Sequence, residues 1–124
     1  MRTVLLVSDA AWVHNDVSAS LDMPGTRIVV EEDPRAVTQS AAQHTPSVYL
    51  VDLQVGSMGG MAITRQLRDS MYAETIPAGT IVMLLDRQAD AFIAKRAGAD
   101  GWVVKPFTAQ QLRATIGTAQ PAQT

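Results

Sequence analysis

The chain contains no cysteine, which excludes disulfides, thiolate metal sites and thiol catalysis together. It also has no basic surplus. Ten Lys and Arg stand against twelve Asp and Glu, a formal charge of −2, so no charge excess draws it onto nucleic acid or anionic lipid. Long hydrophobic runs are missing: the longest, over 4–7 and 81–85, fall far short of the roughly 20 residues that span a bilayer. The N-terminal segment MRTVLLVSD reaches an acid at position 9, too early for a secretory leader. There is no internal repeat and no linker. These absences lead to the expectation of a soluble, cytoplasmic protein with neither nucleic acid nor membrane as partner.

What is present is the composition of a packed globule. Of 124 residues, 47% are hydrophobic and 18% charged, and this length accommodates one domain. Five short, β-branched apolar runs recur: TVLLV (3–7), RIVV (27–30), SVYLV (47–51), TIVMLL (80–85) and GWVV (101–104). None alternates cleanly between polar and apolar, as in strands buried on both faces of a parallel sheet. Helical spacing fills the gaps. Val13, Val17 and Leu21 define a first helix. Val37, Ala41 and His44 define a second, behind an Asp33-Pro34 start signal. Ile63 and Leu67 mark a third. Phe92, Ile93 and Ala97 mark a fourth, closed by Gly98. Leu112 and Ile116 mark a fifth, opened by a Thr108/Gln111 capping box and closed by Gly117. Strand–helix repeated five times predicts a doubly wound, five-stranded parallel α/β sheet. One domain over 1–118 is expected, with a short disordered tail over 119–124 and no effector domain.

In open α/β sheets the functional crevice lies beyond the carboxyl ends of the strands. Ser8 and Asp9 follow the first strand, Asp52 ends the third, Leu85 and Asp86 end the fourth, and Lys105 and Pro106 follow the fifth. Two carboxylates and a lysine at one rim suit a hard divalent cation with an ammonium beside it to neutralise an anion.

These residues sit in three motifs, VLLVSD (4–9), VYLVDLQVGSMGG (48–60) and AGADGWVVKPF (97–107). Together they resemble the response regulator receiver domains of two-component phosphorelay signalling, the CheY-like fold, over nearly the whole chain. The resemblance implies that Asp52 is the phosphoacceptor, receiving a phosphoryl group from a sensor histidine kinase or phosphotransfer protein. It implies that Asp9, Asp52 and the Gln54 backbone carbonyl bind Mg2+, and that Lys105 pairs with the phosphoryl oxygens. It further implies the strand order 2-1-3-4-5 and a cis Lys105-Pro106 peptide. A downstream protein target would dock on a surface near Lys95, Trp102 and Arg113. The expected protein is no enzyme, and is a monomer or weak dimer.

The chain departs from the family pattern in three places. Ser8 replaces the first of two adjacent acids, which weakens Mg2+ binding. Leu85 replaces the hydroxyl residue that contacts the phosphoryl group, and Asp86 follows it where a small residue is usual, before a connection about two residues short. Gly56 and Gly59 replace the usual Pro and Asp after the acceptor, predicting a more flexible loop. Two functions therefore stay open: a stand-alone receiver phosphorylated on Asp52, and a pseudo-receiver adaptor that signals by protein contact without phosphorylation.

Each of these residues also has a plainer role open to it. Asp52 could cap the loop after it, Asp9 could cap the first helix, and Lys105 could be merely solvated. For Asp86, helix capping or repulsion of anions is favoured over restoring the acid lost at Ser8. For Trp102, covering the sheet edge is favoured over a moving switch. His14 and His44 read as surface or partly packed, Met58, Met61 and Met71 as filler, and Arg65, Arg68, Lys95, Arg96 and Arg113 as solvated faces. A haloacid-dehalogenase-like phosphatase would need an acid where Gln54 stands. A flavin mononucleotide site would need hydroxyls that SDAAWVHND lacks.

Overall fold

The computed structural model describes residues 2–119. Five parallel strands form the sheet: β1 (Arg2–Val7), β2 (Thr26–Glu31), β3 (Val48–Asp52), β4 (Thr80–Leu85) and β5 (Gly101–Val104). Their spatial order is β2-β1-β3-β4-β5, as expected. Five α-helices connect them: α1 (Ala11–Ser20), α2 (Val37–His44), α3 (Gly60–Tyr72), α4 (Ala91–Ala97) and α5 (Ala109–Ala119). Short 3-10 turns over Pro34–Ala36 and Gln88–Asp90 lead into α2 and α4. Among the described residues no helix is long and apolar enough to cross a membrane.

Strand alternation sorts the core into two layers. Val4, Leu6, Val48, Leu50, Val82 and Leu84 pack against α1 and α5 through Val13, Val17, Leu112 and Ile116. Leu5, Val7, Tyr49, Val51 and Ile81 face α2 and α3 through Val37, Ala41, Ile63 and Leu67. β3 and β4 are buried at every residue, which is why their sequences carry no alternation. β2 lies at the sheet edge and is only half-buried, so it is not covered on both faces as the sequence led us to expect. Burial raises the Tyr49 phenol to about 12, against the lowering effect of the Arg68 charge.

The local signals act largely as read. Asp33 caps the turn before α2 by accepting from Arg35 N at 2.9 Å. Thr108 and Gln111 exchange the two hydrogen bonds of a capping box at α5. Gly98 ends α4 at φ 102, a conformation that favours glycine.

Four expectations are corrected. Gly117 lies inside α5, because the helix continues to Ala119 and packs its last turn on Gly101. The buried face of α4 is Ala94 and Ala97, while Phe92 (67% exposed) and Ile93 point outward; the short helix lies close to the sheet, where small side chains fit. Arg68 is not a solvated residue: it donates to the carbonyls of Gly98 (2.7 Å) and Gly79 (3.3 Å) and pairs with Asp100 at 2.5 Å, which in turn accepts from Ile81 N. Arg113, exposed in part, reaches the Ser20 carbonyl at 3.4 Å. The expected tail begins at 119; Ala119 ends α5, and 120–124 lie outside the described residues.

Candidate phosphoacceptor site

The site forms where β1, β3 and β5 end at one rim. Asp52, the last residue of β3, is 3% exposed. Its Oδ2 accepts a 2.8 Å hydrogen bond from the buried Ser8 hydroxyl after β1. Its Oδ1 accepts from Leu53 N at 2.9 Å and from the Lys105 ammonium after β5. A carboxylate taken this far out of water needs such partners, and here they come from segments 44 and 53 residues away. The Lys105-Pro106 peptide that turns the chain after the lysine is cis.

Helix α3 begins hard against this aspartate. A Cβ on Gly60 would sit 2.3 Å from the Asp52 carbonyl oxygen, so only glycine lets the helix start here. The segment before it, which its glycines led us to expect flexible, carries hydrogen bonds at both ends. Gln54–Val55 and Met58–Gly59 form a small antiparallel ladder, and Gly56 N donates to Asp9 Oδ2 at 2.8 Å. Asp9 thus holds the loop after Asp52 and remains exposed.

Lys105 has two further neighbours. Asp86 pairs with its Nζ at 3.1 Å, and the Trp12 ring centroid lies 5.6 Å away, within cation–π range. Neither the turn at Gln88–Asp90 nor α4 receives a side-chain cap, so Asp86 caps no helix as had been favoured; the lysine attracts it across the rim. Arg87 pairs instead with the buried Asp90 at 3.2 Å.

Leu85 is fully buried with Met83 and Ala94, and Trp102 packs half-buried against the same cluster. Two shallow clefts flank Trp102. One of about 420 Å³ includes Lys105, Pro106 and Gln111, and one of about 360 Å³ includes Asp100 and Thr118.

Sequence reasoning missed Trp12, which α1 carries to the rim three residues after Asp9, and Asp90. His14 is partly packed, as read, and its Nε2 lies 2.6 Å from the Ser8 carbonyl while Nδ1 lies 3.8 Å from Glu32. The position of Trp12 at the opening of the first helix was the only available hint. His44 is partly exposed beside Arg27.

The oxygen-only donors of Asp9, Asp52 and the Gln54 carbonyl fit a hard cation in kind. With Ser8 in place of an acid they carry only two negative charges, and among the described residues no group of three His, Asp or Glu is placed to hold a metal.

The buried aspartate and the lysine converge at the carboxyl rim of an open parallel sheet, where such sheets carry their functional crevice. The match to known proteins agrees. The family described as the response regulator receiver domain matches residues 4–117. The chain belongs to this family of two-component signalling domains. It is 29% identical to Protein PilH of Pseudomonas aeruginosa over 94% of this chain and 95% of that protein. Chemotaxis response regulator CheY4 of Vibrio cholerae superposes with a TM-score of 0.80 at 28% identity, covering 96% of this chain and 98% of that one. The receiver domain of sensor histidine kinase PA1611 from Pseudomonas aeruginosa, solved with magnesium in its active-site cleft, shares the fold with a TM-score of 0.76 at 24% identity, covering 94% of this chain and 98% of that one. The chain spans about half the length of several other curated relatives it matches.

Proposed function

We propose that this receiver accepts a phosphoryl group on Asp52 from a phosphohistidine of a sensor kinase or phosphotransfer protein, and works in the cytoplasm through protein contacts. The observation that carries the reading is the buried Asp52 carboxylate bound by the Lys105 ammonium at the sheet rim. An Asp52 oxygen attacks phosphorus, forming a P–O bond as the P–N bond to imidazole breaks. The departing ring nitrogen keeps the electron pair of that bond, and the imidazole takes one proton. Lys105 offsets the negative charge that gathers on the phosphoryl oxygens, so the domain contributes positioning and charge neutralisation.

Asp9, Asp52 and the Gln54 carbonyl would hold magnesium, which when bound supplies positive charge toward the phosphoryl group. Ser8 makes that binding weak, because a neutral hydroxyl replaces a carboxylate and already occupies Asp52 Oδ2. Output passes through the surface at the exposed Lys95 and the half-buried Trp102, beside the clefts at Trp102, whereas Arg113, expected on the same surface, reaches to the Ser20 carbonyl at the end of α1. The buried Leu85 has no hydroxyl to draw toward a phosphoryl group, so this surface responds little to Asp52 chemistry through that position.

The test is to titrate Mg2+, add a small phosphodonor, and look by intact mass for a labile phosphate. It appears on the native chain and is absent from Asp52→Asn. No label on the native chain leaves the contact-only adaptor.

A further inference from the structure

Lys105 is the only cation paired with Asp52 among the described residues, and Asp86 holds it as well. The two ends of the Lys105–Asp86 pair differ. The Lys105 side chain is 12% exposed, whereas the Asp86 side chain is 60% exposed. Asp52 and the Trp12 ring hold the lysine in place, so Asp86 is the partner free to move into water. Among the described residues nothing else anchors its carboxylate: it caps neither the following turn nor α4, and the neighbouring Arg87 is engaged with Asp90.

We propose that Asp86 is an internal competitor for Lys105, an intramolecular anion that an incoming phosphoryl group must displace, and that it sets how readily the site takes phosphate. The inference rests on Asp52 being the acceptor. Its basis is charge. Asp9, Asp52 and Asp86 bring three carboxylates to a rim where Lys105 is the paired cation. A phosphoryl group adds further negative charge and seeks the same ammonium. It gains less from Lys105 while Asp86 stays, and like charges close together disfavour its entry. Because Asp86 is largely exposed, added salt screens its effect.

The experiment uses the full chain with acetyl phosphate and Mg2+ and follows labelling by intact mass over time. Native protein is compared with Asp86→Ala, Asp86→Asn and Asp52→Asn. Asp86→Asn keeps the bulk and removes the charge. Both Asp86 variants are expected to label faster than the native chain at low ionic strength, by about fivefold, the upper range for an exposed ion pair. The difference narrows at high salt. Equal or slower labelling of both variants overturns the proposal while leaving Asp52 as acceptor. Faster labelling of Asp86→Ala alone also overturns it, since bulk and not charge would then limit entry. No label on any of the four proteins removes the acceptor reading and this inference together.

Discussion

The Ser8 hydroxyl donates a buried 2.8 Å hydrogen bond to Asp52 Oδ2 across 44 residues of sequence. A neutral donor therefore stands where an acid would repel the acceptor. Removing it in Ser8→Ala leaves Oδ2 without its partner, and unfolding in urea is expected to show a loss of about 1–2 kcal/mol. Ser8→Asp has the opposite chemistry. Two carboxylates then face each other in a buried site, costing about 2 kcal/mol when divalent ions are chelated, and Mg2+ restores the loss. Combined with Leu85→Thr it should also raise acyl-phosphate formation above the native level; a double variant with no gain would show that these two positions are not what weakens the site.

Lys105 neutralises the buried charge of Asp52. In Lys105→Met the Asp52 carboxylate loses its cation, and stability at neutral pH should drop by about 3 kcal/mol. Adding Asp52→Asn should recover much of it. A double-mutant cycle measures the coupling, and additive losses would contradict direct pairing.

Gly60 sets how closely α3 approaches Asp52. A methyl group there meets the Asp52 carbonyl at 2.3 Å, so Gly60→Ala should cost about 2–3 kcal/mol by overpacking. Chemical shifts of residues 52–60 should move with it. Gly117→Ala, with open space around its Cβ, is the control and should be neutral or stabilising.

Arg68 ties α3 to the far end of the sheet through two carbonyls and Asp100. Arg68→Ala should destabilise by about 2 kcal/mol, measured by thermal melting, against about 0.5 kcal/mol or less for the exposed Arg65→Ala.

Tyr49 supplies a pH signature. Its folded-state value is raised from 10.0 to about 12, mainly by burial, so folding favours the neutral phenol. The stability this contributes is fully present below pH 10, where the phenol is neutral in both states. It falls between pH 10 and 12, because the unfolded phenol ionises there first. Tyr49→Phe should lose about 1 kcal/mol at pH 7 with the hydrogen bond to the Pro77 carbonyl, and should flatten that alkaline decline in urea titrations.

The strand runs, the capping signals at Asp33 and Thr108, and the ordering of strands and helices were legible in the chain because they are local physics. Periodicity, φ preference and short-range hydrogen bonds act within a few residues. Phe92 and Gly117 show the limit of that reading. Helical spacing names an apolar face or a terminus, but how close a helix lies to the sheet decides which residues are buried.

The site divides in the same way. The motifs around Asp9, Asp52 and Lys105 by themselves determined that acids and a lysine share one rim, since parallel crossovers bring every strand's carboxyl end to the same side. Only the tertiary structure decided what each group touches: Ser8 on Asp52, Asp86 and Trp12 around Lys105, Asp9 on the loop at Gly56, and Arg68 on Asp100. Those contacts join side chains from different segments. They depend on distances of a few ångströms that the packing of the whole domain sets and that no local pattern encodes.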